Sequence, residues 1–330
     1  MHAELHDTDI LFFSPTENAL PRHVRICFRP VAFVKQVGVS IWLHLNVLRI
    51  ITRYRLDKLN LHTGPGGVIL TRRLPVPLLV TCHHTYWQQF HHIRSQFWKC
   101  LFLPFEKKTY QLATGIVCVS EATRRALVEH YGIPESKITV IPNAIDRRTF
   151  HRLDIPRHVR SLAYVGRIDK RKGIEFLIRS MPLVRERMPD VLLRVAGTGD
   201  YLGKMETLVR RLGLENNVKF LGFVPDEQLN ELYNQAQCVV APSMFEGFGI
   251  TVIEALAAGT RVVGTDVDGI REILARGEYG RLVPYGNHQA LADAIVAELN
   301  EPREAAPLRG EYQVEHFRER YRHVLEHDGS

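Results

Sequence analysis

Glu246 and Glu254 flank two glycines and an apolar run in FEGFGITVIEALAAG, residues 245 to 259. Gly247 and Gly249 let the chain turn out of the preceding apolar stretch CVVAPS into a helix near Ile250. The backbone amides from Gly247 through Phe248, Gly249, Ile250 and Thr251 then face a ligand, and the N-terminus of a helix is a site for phosphate oxygens. Carboxylates repel phosphate, so the two glutamates must serve neutral hydroxyls, one accepting from a sugar and the other from a ribose. Reading Glu246 as a helix-start charge and Glu254 as a surface residue leaves the glycines and the apolar surroundings of Glu254 unexplained. Ile250, Ile253, Leu256 and Ala257 supply the apolar face of the helix, and Gly259 ends it.

Two further loops carry matching chemistry. GRIDKRKG follows the strand-like SLAYV and places Gly166, Arg167 and Lys172 on a turn that opens into a helix at Gly173. Two cations beside free helix amides suit a doubly charged phosphate group, although a solvated basic turn has the same composition. VAGTGD puts Gly197 and Gly199 after another strand, where backbone can approach a ligand closely or simply turn. The histidines of VTCHHTYWQQFHH (His83, His84, His91 and His92) raise the question of zinc. Adjacent histidines point in different directions, and neither a cysteine pair nor H-E-x-x-H accompanies them, so metal binding is disfavoured.

These loops need strands to end beside them. Short β-rich runs (DILFF, HVRICF, DKLNLH, PLLVTC, GIVCV, ITVI) alternate with helical stretches such as EATRRALVEHYG up to about Ile141, which predicts parallel strands with crossover helices. The polar, proline-broken RRTFHRLDIPRHVR marks a boundary, and the alternation then resumes more cleanly. The expected division is a first lobe over 1–150, a second over 159–310 and a charged C-terminal helix over 311–330 that reaches back across the first. At 330 residues, two α/β lobes fit better than one core. Ligands of open parallel sheets gather at the carboxyl ends of the strands, where the glycines and charges fall.

Composition narrows the function class. With 45% hydrophobic and 24% charged residues the chain is globular rather than disordered. A net charge of +7 favours anionic partners, but the basic residues are dispersed with no aromatic-interleaved motif, which argues against nucleic acid. Five scattered cysteines point to a reducing compartment. MHAELHDTDILFF does not resemble a secretory leader, so the cytoplasm is expected. The stretch 37–52 contains His44, Asn46 and Arg49 and reads as an amphipathic helix, with covering a sheet favoured over lying on a membrane.

Taken together, PSMFEGFG, Glu246-x7-Glu254 and EALAAGT resemble the family 4 retaining glycosyltransferases of the GT-B fold. The likeness extends through YVGRIDKRKG, VAGTGD, FLGFVPDEQL, DGIREIL, VTCHHTY, VCVSEATRRAL and VIPNAID, over about residues 57 to 290. It implies two doubly wound Rossmann-like lobes facing a cleft, with a nucleotide diphosphate-sugar held by the second lobe and an acceptor entering from the first. It further implies that Glu246 contacts donor-sugar hydroxyls, Glu254 the ribose, Arg167 with Lys172 the diphosphate, and the backbone around Val224 the base. Neither a metal nor any cofactor beyond the donor is implied, and the departing phosphate takes the acceptor proton. The acceptor is a glycan, a lipid-linked species or a small molecule, which leaves room for a peripheral contact at the inner face of the membrane.

The family places a histidine near the sugar; His83 fits the T-x-H register and His84 the H-T register, and the choice stays open. The family's PNG reads Pro142-Asn143-Ala144, and its GTP reads Gly259-Thr260-Arg261. Before DKLNLH there are two strand candidates where the family has three, and no Gly-Gly loop precedes Gly66, so the first lobe is expected to be short at its start and its transfer impaired. A sugar-nucleotide epimerase and a catalytically impaired nucleotide-sugar binder are the rival readings; activity without an acceptor would favour the first.

Overall fold

The computed structural model describes residues 12–14, 25–27, 35–63, 69–274, 279–301 and 305–327. In the first lobe the order is β1 (Phe12–Ser14), β2 (Arg25–Cys27), α1 (Lys35–Tyr54), β3 (Leu59–Thr63), β4 (Leu78–Cys82), α2 (Tyr86–His92), a 3₁₀ segment (Arg94–Phe102), α3 (Leu103–Leu112), β5 (Gly115–Cys118), α4 (Glu121–Tyr131) and β6 (Ile138–Val140). Strands β3 to β6 form a four-stranded parallel sheet in sequential order. β1 and β2 pair in parallel with each other in a separate two-stranded sheet. Both strand candidates ahead of DKLNLH are therefore strands, and the segment between them lies outside the described residues.

α1 covers the sheet, as its pattern requires: Leu43, Val47, Ile50 and Ile51 pack with Leu61, Val80 and Ile116. Its outer side leaves Ile41 and Leu45 exposed. α2, the 3₁₀ segment and α3 were not expected from the sequence. Their local signals are nonetheless present, since Thr85 and Gln88 form a reciprocal capping box at the start of α2 and a proline opens α3.

The second lobe runs β7 (Ser161–Val165), α5 (Ile174–Arg187), β8 (Leu192–Ala196), α6 (Leu202–Arg211), β9 (Val218–Gly222), α7 (Asp226–Gln235), β10 (Cys238–Ala241), α8 (Ile250–Ala257), β11 (Val262–Thr265), α9 (Asp268–Leu274), β12 (Gly280–Val283) and α10 (His288–Asn300). Its sheet is parallel, in the order β12-β11-β10-β7-β8-β9. The chain thus winds outward in both directions from β7 and β10, and the crevice at their carboxyl ends is the topological switch point where a ligand fits. The loops bearing Arg167 and Glu246 both leave from this point.

The lobes meet directly. The Glu272 carboxylate on α9 accepts from the amides of Glu121 (2.9 Å) and Ala122 (2.6 Å), placing a negative charge at the N-terminus of α4. The final helix, α11 (Val314–His327), lies on the first sheet, where Phe317, Tyr321 and Val324 pack against Leu79, Val117 and Ile141. The Tyr321 hydroxyl lies 2.7 Å from that of Thr81. Arg261, which stands in place of the family's proline, is buried in an ion pair with Glu298 that Arg281 shares.

Candidate active site

A small recess, open to solvent, lies at the switch point. Tyr164, Lys172, Ser243, Glu246, Gly249 and Thr251 line it. Lys172 Nζ donates to Glu246 Oε2 at 2.5 Å, with both side chains about four-fifths or more buried (20% and 15% exposed). Ser243 Oγ donates to the same oxygen at 3.4 Å. In such surroundings an opposite charge is worth far more than on an open surface.

Glycine builds this arrangement. Gly173 adopts φ +69°, and a Cβ there would stand 1.8 Å from the Pro242 carbonyl oxygen, so the Lys172 loop can lie against the β10 loop only with glycine. Gly197 (φ +141°) brings its loop equally close to the Gly166 carbonyl. Gly249 caps α8 in the left-handed region without a side-chain cap, which leaves the first amides of the helix open toward the recess.

α8 begins at Ile250 and gives way to Gly259 at φ +76°, both as expected. Its face differs from expectation. Ile250 is 47% exposed beside the recess, while Val252 and Ala255 are buried with Ile253 and Leu256. The helix is held between the sheet and its neighbours on more than one side, so a single apolar stripe describes it poorly. Phe248 is buried edge-on against Tyr312, so only its backbone serves the turn.

Glu254 sits on α8, where its Oε2 accepts from the Tyr233 hydroxyl at 2.8 Å. Burial raises its carboxyl above the usual range, Asp226 adds to this, and Tyr233 and Lys172 oppose it. Arg167 is exposed; its carbonyl is fixed by the Tyr164 hydroxyl at 2.9 Å. Val224 is half-buried and packs on the core, next to Phe223, which is 80% exposed. Lys172, Glu246, Gly249 and Thr251 therefore come together, whereas Arg167, Glu254 and Val224 stand around them. Sequence reading missed Tyr233 and Ser243; a tyrosine on the inward side of a polar helix is the readable sign, because a buried hydroxyl needs a partner.

Across the cleft, His84 is 5% exposed and meets the Phe245 ring edge-on at 5.4 Å. A Cβ on Gly247 would lie 2.6 Å from the His83 carbonyl oxygen and 3.3 Å from His84 Cβ, so this glycine permits the close approach of the lobes. His83 instead stacks on His62, with ring nitrogens 3.1 Å apart. It is thus His84 whose ring lies against the second-lobe loop of Phe245 and Gly247. His91 stacks on Trp87 at 4.7 Å. Among the described residues, no three His, Cys, Asp or Glu side chains gather as a metal site.

The sequence profile of glycosyl transferases group 1 matches residues 147–312, and that of glycosyltransferase family 4 matches residues 1–149. The chain belongs to the group 1, family 4 glycosyltransferases. A phosphatidyl-myo-inositol mannosyltransferase of Mycobacterium leprae is 30% identical over 312 residues, covering 91% of this chain and 80% of that protein. An uncharacterised glycosyltransferase of Methanocaldococcus jannaschii is 36% identical over 206 residues, 58% of this chain, and the match spans about half (52%) of that protein's length. Among solved structures, sucrose-phosphate synthase of Thermosynechococcus elongatus superposes with a TM-score of 0.77 at 22% identity, over 98% of this chain and 87% of the other. HepE of Anabaena, solved with UDP, gives 0.70 at 19% identity over 92% and 86%. The fold of this glycosyltransferase family member is GT-B: two Rossmann-like lobes across a cleft.

Proposed function

We propose that this chain moves a sugar, with retention of configuration, from a nucleotide diphosphate-sugar to an acceptor hydroxyl without a metal ion or other cofactor. The observation that carries the reading is the Lys172–Glu246 pair on the switch-point recess, beneath the uncapped start of α8. In the transfer, the bond from the anomeric carbon to the diphosphate breaks while the bond to the acceptor oxygen forms on the same face. The acceptor proton passes to the departing phosphate oxygen, and Arg167 and Lys172 balance the charge that develops there. Glu246 turns from Lys172 to the donor-sugar hydroxyls, and Glu254 accepts from the ribose.

Support for a nucleotide donor comes from HepE, solved with UDP, and for a glycan or lipid-linked acceptor from the mannosyltransferase relative. No described helix is long and apolar enough to cross a membrane. Phe97, Trp98, Leu101 and Phe105 are exposed on the first lobe, an apolar area that a peripheral contact with the cytoplasmic face of a bilayer would cover. Nucleic acid has no place in this reading.

A thermal-shift series with UDP-, GDP- and ADP-sugars is the direct test, because a ligand that binds only the folded chain raises the unfolding temperature. One base is expected to stand out, and no shift with any of them rejects the donor site. Transfer is expected to persist in EDTA; loss that manganese restores would reject the metal-free step.

Two substitutions divide the carboxylate roles. Glu254→Gln is expected to weaken donor binding by about 2 kcal/mol, the worth of a charge-assisted hydrogen bond. Donor affinity should also fall on acidification at a higher pH than an ordinary glutamate would give, because burial raises this carboxyl and its neutral form accepts less well. Calorimetry showing unchanged affinity and no such pH dependence removes Glu254 from the ribose. Glu246→Gln should lower turnover more than it lowers affinity for the free nucleoside diphosphate, which has no sugar and gains a released Lys172. Equal losses for nucleotide and nucleotide sugar contradict that assignment.

A further inference from the structure

His84 has two edges in different company. Its Nε2 edge meets the Gln89 side-chain amide nitrogen, and Gln89 is itself buried at 2% exposure. Its Nδ1 edge faces the donor-lobe turn, where a Cβ on Gly247 would stand 3.5 Å away. The Gln89 oxygen accepts from Lys99 Nζ. Lys99 is 7% exposed and sits over the rings of Tyr86 (5.4 Å) and Trp98 (5.8 Å). Beyond Tyr86, the buried Glu106 carboxylate accepts from the Tyr86 amide and from the hydroxyls of Tyr110 and Tyr131.

Donor and acceptor chemistry then decides a tautomer. An ammonium group has donors only, so the Gln89 oxygen must face Lys99 and its NH2 must face His84. An NH2 can only donate, so His84 Nε2 must present its lone pair, and the ring proton must sit on Nδ1. Flipping the amide would set its NH2 against the Lys99 ammonium, donor against donor, in a buried place where neither finds water.

We infer that Lys99 and Gln89 are positioning residues that hold the His84 imidazole as its Nδ1–H tautomer, aiming a neutral N–H donor at the cleft beside the Gly247 turn. The inference rests on the glycosyltransferase reading for its purpose: the N–H donates to an oxygen of the donor sugar, and His84 takes no part in proton transfer. Burial keeps the ring neutral, the charges of Arg171 and Lys99 reinforce this, and a hydrogen bond to the His83 backbone opposes it. Arg171 belongs to the second lobe, where it donates to the Phe245 carbonyl oxygen at 3.3 Å, so this field reaches the ring from both sides of the cleft.

Gln89→Glu is the decisive change, since it keeps shape and the Lys99 contact but replaces the NH2 by an acceptor. His84 must then carry its proton on Nε2. Long-range proton–nitrogen correlation spectra of protein labelled with 15N-histidine, with the His84 signal assigned through His84→Asn, read this directly. The wild-type chain should show the Nδ1–H pattern, Lys99→Arg should preserve it because arginine also only donates, and Gln89→Glu should invert it. With inversion, kcat should fall at least about tenfold while donor affinity changes less, as for loss of one aimed donor. A wild-type Nε2–H pattern, or a pattern unmoved by Gln89→Glu, overturns the inference. The spectra need no substrate: if the tautomers behave as stated but no sugar nucleotide binds, it is the glycosyltransferase reading that fails.

Discussion

A chain carrying Arg167→Ala and Lys172→Ala is expected to fold and to lose transfer by at least about 10⁴-fold. Removal of one preorganised donor to a developing anion typically costs about 10²–10³ in kcat, and here two full charges leave together. The effects will not simply multiply, because in the proposed step both cations act on the same departing diphosphate. The loss of Lys172 reaches further than its own charge, since Glu246 at 2.5 Å would be left largely buried without its counter-ion and would repel an entering phosphate. The fold should survive, because the loop is shaped by its backbone: Lys172 N donates to Asp169 Oδ1 at 2.9 Å, and the Arg167 carbonyl accepts from Tyr164. Unfolding curves with single-turnover transfer from a labelled donor provide the check. Transfer within tenfold of wild type, in a folded double variant, would remove these cations from the leaving-group step.

The parts of this site that were legible in the sequence are those made by short-range chemistry at strand ends. SLAYV-GRIDKRKG and CVVAPSMFEGFG announce themselves because a parallel sheet needs apolar strands, and a close loop needs glycine; Gly173 and Gly197 sit where any Cβ would overlap a carbonyl. The stretch from Tyr86 to Leu112 was illegible for an equally physical reason. Its aromatic and histidine side chains stack on one another, as Trp87 does with His91 and His130, and several point to solvent, so no single period of apolar residues emerges. The capping box at Thr85 and Gln88 was a local sign of α2 that periodicity overlooked.

Partners distant in sequence were also beyond reach. That Glu254 leans on Tyr233 depends on how α7 packs against α8, and the choice between His83 and His84 depends on which ring meets Phe245 from the other lobe. Sequence placed both histidines at the carboxyl end of β4, but only assembly of the cleft separates them. Ile250 makes the same point on a smaller scale. As a member of an apolar pattern it belongs inside, yet it is the first residue of a helix that opens on the recess, and it is exposed.

The second large effect expected is a loss of stability in acid that traces to His84. Burial, reinforced by the charges of Arg171 and Lys99, lowers this imidazole from 6.5 to about 3. The unfolded chain therefore takes up a proton near pH 6.5 that the folded chain refuses until about pH 3. The stabilisation is complete above 6.5 and drains away as the pH falls through that window, by about 5 kcal/mol in all at ~1.4 kcal/mol for each pH unit. Glu106 acts with the opposite sign. Burial raises it from 4.5 to about 7, so its contribution is complete below 4.5 and is lost as the pH rises through 7, by about 3 kcal/mol. With one group failing in acid and the other toward neutrality, the first lobe should be most stable between them, near pH 5 to 6 as far as these two groups decide it. Denaturant unfolding of the wild-type chain, His84→Asn and Glu106→Gln across pH 4 to 8 separates the contributions. His84→Asn should be less stable near pH 7, where the packing against Phe245 is lost, but it should regain stability relative to the wild type as the pH falls from 6.5. Glu106→Gln should instead flatten the neutral side. Parallel curves for the wild type and His84→Asn below pH 6.5 would mean that the folded imidazole takes up its proton as readily as the unfolded one, and the depression to about 3 would have to be abandoned.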